Sequence, residues 1–269
     1  MPEPYPFLKG HGTENDFVLL PDLDGAVHGD RSPQQMAARV RALCDRRAGI
    51  GGDGVLRVVR RGGGWFMDYR NSDGSVSEMC GNGIRVFARY LVDEGLADPA
   101  RPIPVETRDG VKAMTVDGDE ITADMGSPRV LGESKVGVPG HSWAARHVDM
   151  GNPHAVAFVD SLDDAGRLLD PPEHDAATYP HGVNVEFVVR RGERHVAMRV
   201  HERGSGETRS CGTGACAAMV AAAVADGNER SGAYRVDLPG GTLTITWTAD
   251  DRILMTGPAV IVARGTTSL

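Results

Sequence analysis

The chain has 269 residues, with 29 Lys or Arg against 37 Asp or Glu and a formal net charge of −8 at pH 7. Charged residues at 25% and hydrophobic residues at 41% are ordinary globular values, and the acidic balance excludes nucleic acid as the main partner, because neutralising phosphates needs a basic face. Residues 1–10 carry no apolar core of signal-peptide length, and the longest apolar run, Ala215–Ala225, is too short for a bilayer that needs about 20 residues. Four cysteines, at 44, 80, 211 and 216, are too few and too scattered for a disulfide scaffold. The expectation is a cytoplasmic protein with reduced thiols and no membrane partner.

In chain order, the apolar periodicity predicts a helix over Pro33–Cys44 and strands over Gly54–Arg60 and Trp65–Tyr69. A helix over Gly83–Glu94 puts Ile84, Phe87, Ala88 and Leu91 on one face. Val111–Val116 with Ile121–Met125 read as a hairpin turning at Asp-Gly. The segment Ser127–Gly140 holds the crossing into the second part of the chain. There, strands follow over Asn184–Val189 and Val196–Val200, then an Ala-rich helix over Gly214–Ala225, then a hairpin of Thr242–Thr248 with Arg252–Thr256. The Ala-rich helix has side chains small enough for close backbone approach, which places it in the middle of its half.

The chain repeats itself once. Arg60-Arg61-Gly62 recurs as Arg190-Arg191-Gly192 at an offset of 130, and Cys80-Gly81-Asn82-Gly83 as Cys211-Gly212-Thr213-Gly214 at 131. The offset of 131 also carries Val105 to Val236, Gly110 to Gly241, Asp119 to Asp250 and Gly126 to Gly257. A nearly constant offset over so long a stretch predicts two pseudo-symmetric halves of one topology in an α+β fold, with a site drawing one copy of each motif from either half. The first half is placed at 1–127 with 257–269, and its repeat at 128–256.

Cys80 and Cys211 each precede a Gly-x-Gly that opens a helix, where unpaired backbone N–H groups and the helix dipole favour an anion. A thiol there is expected to fall below its ordinary pKa, and the glycines let backbone approach a carboxylate. A thiolate base and a thiol acid on opposite faces are the minimum needed to invert a stereocentre. One isolated cysteine before a helix reads more simply as a small buried hydrophobe, but two at equivalent repeat positions do not. A disulfide between them fits poorly with the expected compartment. Zinc fits poorly with the spacing of Cys211 and Cys216, so no metal is expected, and Cys44 and Cys216 read as core. Nine residues before each cysteine stand Asn71 and Glu202, and Arg203 beside Glu202 offers a planar fork for a carboxylate. Asn15 and Asn152 lie in turns early in each half and can orient a zwitterion without exchanging protons with it. His154 could help set the ionisation of a nearby thiol. Gly49-Ile50-Gly51-Gly52-Asp53-Gly54 lacks the Lys-Ser/Thr of a phosphate loop. Only Lys9, Lys112 and Lys135 are present, and the last two fall in a hairpin and the crossing segment, which argues against a pyridoxal Schiff base and for no cofactor.

Several motifs together resemble those of the diaminopimelate epimerase family, almost end to end. They are His11-Gly12 with Asn15-Asp16-Phe17, Tyr69-Arg70-Asn71-Ser72-Asp73-Gly74-Ser75, Met79-Cys80-Gly81-Asn82-Gly83, Met150-Gly151-Asn152-Pro153-His154, Val183-Asn184-Val185, Glu202-Arg203-Gly204 and Ser210-Cys211-Gly212-Thr213-Gly214-Ala215-Cys216. The resemblance implies two β-barrel-like domains, each around a central helix, and cofactor-free interconversion of LL- and meso-diaminopimelate on the route to lysine and peptidoglycan. It makes Cys80 and Cys211 the acid/base pair assisted by His154 and Glu202. It carries substrate contacts to Asn15, Asn71, Asn152, Asn184, Glu202 and Arg203, and backbone donors to Gly81, Asn82, Gly212 and Thr213. Two departures stand out. Thr13-Glu14 replaces a small apolar residue and Gly, and Gly54 stands where many members have a substrate-contacting Gln. Ala263 appears where some members place an interface Tyr, which weakens the expectation of a homodimer. The closest rival is a proline or hydroxyproline racemase with the same paired thiols, which would show His in place of Asn82; another amino-acid epimerase and a catalytically dead binding module are the others.

Overall fold

A computed structural model describes residues 3–269. The chain divides into two units, one running to Ala123 and including Gly257–Leu269, the other covering Asp124–Thr256. In the first, β1 (Tyr5–Gly12) and β2 (Asn15–Pro21) form a hairpin, followed by α1 (Pro33–Cys44), β3 (Gly54–Arg61), β4 (Gly64–Asn71), α2 (Gly81–Asp93), β5 (Ile103–Thr107), β6 (Gly110–Asp117) and β7 (Glu120–Asp124). Strand β2 runs parallel to β3 and β4 parallel to β5, while β1–β2, β3–β4, β5–β6 and β6–β7 are antiparallel.

The second unit contains β8 (Arg129–Val138), β9 (His141–Asp149), β10 (Pro153–Phe158), a 3-10 turn at Leu162–Ala165, β11 (Glu173–His174), β12 (Asn184–Gly192), β13 (His195–Glu202) and β14 (Gly206–Thr208). Helix α3 (Gly212–Ala225) and β15 (Gly232–Leu238), β16 (Gly241–Trp247) and β17 (Ile253–Pro258) complete it. Its pairings repeat the first unit's sequence. Strand β10 is parallel to β12 and β13 to β15, with β9–β10, β12–β13, β15–β16 and β16–β17 antiparallel. The last strand, β18 (Val260–Thr267), returns to the first unit and pairs antiparallel with β1, as β8 pairs with β9. Each unit is thus a sheet of the same order wound about one helix, inserted where the chain crosses between two parallel strands. A parallel pair cannot be joined by a tight turn, so the helix is the crossover.

The helices differ in how they are buried. In α3 nearly every position from Gly212 to Ala223 is buried, including Ala217, Ala218, Ala221 and Ala222. An apolar surface all round belongs inside a core, and methyl side chains let the surrounding strands come close. The segment expected to be a mere crossing, Ser127–Gly140, is mostly strand β8, so Lys135 lies in a strand, opposite Ala144 of β9. Its pattern is exposed for most of its length, so the strand carries little of the apolar alternation that sequence reading relies on. No helix among the described residues is long and apolar enough to cross a membrane.

One buried residue gives the first unit an acid-sensitive element. His28 is 2% exposed, edge-on to Tyr5, and Arg39 approaches its Nδ1 at 3.0 Å. Arg39 has only hydrogens to give, so Nδ1 accepts and the ring is neutral. Burial pushes the pKa of His28 down from 6.5 to about 4, outweighing the attraction of Asp22. Between those values the unfolded chain binds more protons than the folded one, so stability falls as pH drops through that window. The thermal midpoint should decline from about pH 6.5 to about pH 4, and His28→Gln should flatten that part of the profile. An unchanged slope in the variant would place the acid sensitivity elsewhere.

Candidate active site

The two repeated cysteines occupy the same local position. Cys80 (φ −139°, ψ 122°) and Cys211 (φ −120°, ψ 115°) are the N-caps of α2 and α3, and each sulfur accepts the N–H of the third helical residue, Gly83 or Gly214, at 3.4 Å. The helices therefore begin at Gly81 and Gly212, two residues earlier than the periodicity predicts, because glycine adds nothing to an apolar pattern. The first two helical N–H groups, of Gly81 and Asn82 or of Gly212 and Thr213, have no acceptor within their helix and point out of its positive end.

Around Cys80 the first unit builds an amide platform. Asn15 Oδ1 accepts from Asn82 Nδ2 at 3.3 Å and from the Cys80 thiol at 3.6 Å. Its other end is fixed, since Asn15 Nδ2 donates to Asp53 Oδ2 at 2.7 Å. Arg46 bridges Asp53 and Asp16, and Lys9 also reaches Asp16. Burial alone would raise the Asp16 carboxyl, but the hydrogen bonds from Arg46 and Lys9 hold it well below the usual carboxylate range. Asp53, in the glycine-rich stretch set aside as a failed phosphate loop, thus decides which way the Asn15 amide faces. Its signal in the sequence was an acid between glycines, with nothing to say what it holds. Asn71 accepts from Tyr69 at 2.8 Å and donates to Ser75 at 3.0 Å, and Ser72 N–H donates to the Asp53 carbonyl.

Both departures from the resembled pattern have structural counterparts. Thr13 and Glu14 form the two-residue β1–β2 turn with φ of +49° and +61°, as a type I′ turn demands, although non-glycine residues there cost about 1 kcal/mol or more each. The Thr13 hydroxyl donates to Asn82 Oδ1 at 3.4 Å, and the fully buried Arg85 donates to the Thr13 hydroxyl at 3.5 Å, so the turn is held from below. At Gly54 a Cβ would lie 2.6 Å from the Arg70 carbonyl and 2.8 Å from Tyr69 Cε2. Backbone and the Tyr69 ring already occupy the space a larger residue would need.

In the second unit Cys211 is 6% exposed and sits among Glu202, Glu186, Thr213 and Gly214. The helix dipole suggested a depressed thiol pKa; the structure reverses the sign. Burial pushes the Cys211 thiol well above its ordinary value, and any negative charge on Glu202 or Glu186 would push the same way against the Thr213 hydroxyl and the Gly214 N–H. A helix end is worth roughly half a charge, which burial outweighs here. Burial also raises the Glu202 carboxyl, partly offset by hydrogen bonds from Thr208 and from the Cys211 thiol. Glu202 is thus the carboxyl group available to a hydrogen on the Cys211 sulfur.

His154, expected beside the thiol, does not touch it. It is fully buried, with Nδ1 at 2.6 Å from Glu186 Oε1 and Nε2 at 3.0 Å from Asn152 Oδ1. Asn152 Nδ2 in turn donates to Thr213 Oγ1 at 3.4 Å, and Thr213 Oγ1 lies 3.6 Å from the Cys211 sulfur. Glu186 is a residue that sequence reasoning missed. Its signal was an acid inside the apolar run Asn184–Val189, and acids are almost never fully buried without a partner. Asn184 anchors the neighbouring loop, donating to the Pro153 carbonyl and accepting the Arg203 N–H at 3.0 Å. The Arg203 guanidinium donates to the His181 carbonyl at 3.2 Å, so the expected carboxylate fork has part of its donor set on backbone. Cys44 and Cys216 are buried in the cores of their units, and burial pushes the Cys44 thiol up to about 12.

The family model described as diaminopimelate epimerase matches residues 7–131 and 146–262. The chain belongs to the diaminopimelate epimerase family. A diaminopimelate epimerase of Streptomyces coelicolor is 58% identical over 96% of this chain and 94% of that protein. One from Mycolicibacterium smegmatis is 46% identical over 96% and 95%. Among solved structures, a hydroxyproline epimerase from Agrobacterium vitis aligns with a TM-score of 0.74 at 15% identity, covering all of this chain and 94% of that one. A phenazine biosynthesis protein of the PhzF family from Bacillus anthracis aligns at 0.75 and 15%, covering 99% and 100%. These distant likenesses extend the diaminopimelate epimerase fold, with its paired sheets and helices, to proteins of other names.

Proposed function

We propose that the chain is an isomerase that interconverts LL- and meso-2,6-diaminopimelate without a cofactor, in the cytoplasm, with Cys80 and Cys211 as its acid/base pair. The observation that carries this reading is the matched pair of capping sulfurs, each on the third N–H of its helix at 3.4 Å, in a chain 58% identical to a named epimerase. Cys211, whose thiol burial pushes well above its ordinary value, supplies the proton. Cys80 as thiolate removes one: the α-C–H bond breaks, an S–H bond forms on Cys80, and the carbanion takes the Cys211 hydrogen from the opposite face. Charge is conserved, with the thiolate passing from Cys80 to Cys211. In the reverse direction Glu202, already accepting the Cys211 thiol proton, is the group that can leave Cys211 ionised.

The α-proton of an amino acid is a weak acid, so catalysis without a cofactor rests on positioning and on donors aimed at developing charge. Gly81, Asn82, Gly212 and Thr213 supply backbone N–H groups to the reacting carboxylate. Asn15, Asn71, Asn152 and Asn184 hold the zwitterion with groups that exchange no protons, and Glu202 and Arg203 contact its charged ends. The test is incubation of LL-diaminopimelate with the protein in deuterated water. The expected result is meso product carrying deuterium at the inverted carbon, and proline or hydroxyproline should show no incorporation. A protein that binds diaminopimelate without exchanging its α-hydrogen would refute the reading, and exchange at proline instead would move the assignment to the sister racemases.

A further inference from the structure

Glu186 is a titratable group that the two-thiol chemistry does not use. It lies on β12 opposite the first turn of α3, close enough that a Cβ at Gly214 would sit 2.8 Å from its Oε1 and 3.3 Å from the Cys211 sulfur. Both Glu186 and His154 are fully inaccessible, and they are joined by the 2.6 Å Nδ1···Oε1 bond. The second carboxyl oxygen, Oε2, is buried with no hydrogen-bond partner. A carboxylate with one oxygen stranded away from water is strongly disfavoured, whereas a carboxylic acid needs only one donor satisfied.

From Glu186 a continuous set of contacts runs to the reacting sulfur, all within one unit: Nδ1 of His154, then Nε2 to Asn152 Oδ1 at 3.0 Å, Asn152 Nδ2 to Thr213 Oγ1 at 3.4 Å, and Thr213 Oγ1 to Cys211 Sγ at 3.6 Å. Every member can donate in one direction or the other, so the set has two polarities. A proton on Glu186 makes His154 Nδ1 the acceptor and puts the ring hydrogen on Nε2. The Asn152 oxygen then faces His154, its NH2 faces Thr213, and the Thr213 hydrogen is left pointing at sulfur. An ionised Glu186 beside a neutral His154 reverses each step and turns the Thr213 lone pairs towards Cys211 instead, whereas a Glu186 carboxylate paired with a doubly protonated His154 keeps the first arrangement from Nε2 onward. The Asn152 orientation, oxygen to His154 and nitrogen to Thr213, is that of the first polarity.

We propose that Glu186 is a positioning residue for Cys211: as a carboxylic acid it sets, through His154 and Asn152, the direction in which the Thr213 hydroxyl donates to the sulfur. The proposal rests on the reading of Cys211 as an acid/base group. The other titratable groups facing Glu186 and Cys211 are Glu202 from β13 and Tyr179 from the loop before β12, and His147 from β9 faces His154. Burial raises the Glu186 carboxyl against the pull of His154, which agrees with the protonated form.

The experiment reads Cys211 directly. Its alkylation by iodoacetamide, followed by peptide mass across pH in the full-length protein, gives a midpoint for thiolate formation. Glu186→Gln keeps a donor to Nδ1 and should leave that midpoint in place. Glu186→Ala removes it and should raise the midpoint by about one unit, a roughly tenfold loss of reactivity at fixed pH. Thr213→Val, which removes the last donor and does not depend on how Glu186→Ala folds, should raise the midpoint similarly. In the wild-type protein at neutral pH, the infrared difference against Glu186→Gln should contain the carbonyl stretch of a protonated carboxylic acid. An unmoved midpoint in Glu186→Ala or Thr213→Val, a Glu186→Gln shift as large as that of Glu186→Ala, or an absent carboxylic-acid band each overturns the proposal. None of these readouts requires turnover, so a chain that failed to epimerise diaminopimelate would leave them intact and interpretable.

Discussion

Replacing either capping cysteine by serine should leave a folded protein that no longer turns over. The serine hydroxyl can accept the N–H of Gly83 or Gly214 as the sulfur does, and serine is among the preferred helix caps. Helix α2 or α3 should therefore keep its start, and the melting temperature should stay close to that of the wild type. What is lost is a group able to exchange a proton near neutral pH, since an alcohol is far too weak an acid. General acid–base catalysis is typically worth about 10²–10⁴-fold, and losses of at least that size in kcat/KM are expected for both Cys80→Ser and Cys211→Ser, in both reaction directions. Alanine at either position should add a cap penalty of about 0.5–2 kcal/mol to the same kinetic loss. Serine variants thus separate the structural use of the sulfur from its chemical use. A variant at either position within tenfold of wild-type turnover would break the assignment of paired bases.

Phe187→Ala should be the most damaging single truncation in the second unit. Phe187 is fully buried on β12, with Trp143 packed edge-on at a centroid distance of 5.5 Å. It belongs to a cluster with Val185, Val189, Ala155 and Ala157. Strand residues alternate between faces, so Val185, Phe187 and Val189 share this cluster while Asn184 and Glu186 point to the opposite side. Deleting the ring forfeits its transfer energy and leaves a cavity that a sheet pinned by β10 and β13 cannot fill by collapse. The expected cost is about 3–5 kcal/mol, seen as a fall on the order of 10 °C in the thermal midpoint. Activity should fall with it, because the same strand carries Asn184 and Glu186. Phe187→Leu, which retains most of the volume, should recover much of the loss. A cost below about 1 kcal/mol for the alanine variant would show that the site can repack and that β12 is held mainly by its hydrogen bonds.

Much of the architecture was legible because duplication leaves two copies of every signal. Helix α1 over Pro33–Cys44, strands β3, β4, β12 and β13, and the hairpin formed by β16 and β17 lie where periodicity puts them. The Ala-rich stretch is the buried helix expected of it. Strand β8 was not legible, since its exposed side chains follow no apolar alternation. The first turns of α2 and α3 were hidden for a different reason. Gly81 and Gly212 open their helices where a sulfur accepts the N–H two positions further on, and that is a property of a side chain in space.

The residues of the site divide in the same way. Cys80 and Cys211 could be chosen from the sequence by residue type and by recurrence at an interval of 131, and the asparagines by residue type, by their place in the chain and by the family resemblance. Recurrence of Cys-Gly-x-Gly also marked two equivalent places in the chain, though glycine, the least restricted residue, does not by itself fix where a helix starts. Ionisation was decided elsewhere. The sign of the shift at Cys211 depends on burial and on Glu202 and Glu186, which arrive from two other strands, and electrostatic energy depends on distance and solvent access. For the same reason His154 reaches the sulfur only through Asn152 and Thr213, and Asp53 orients Asn15 across 38 positions of chain. Residue type fixes what a group can do; folding fixes which groups are near enough to make it do so.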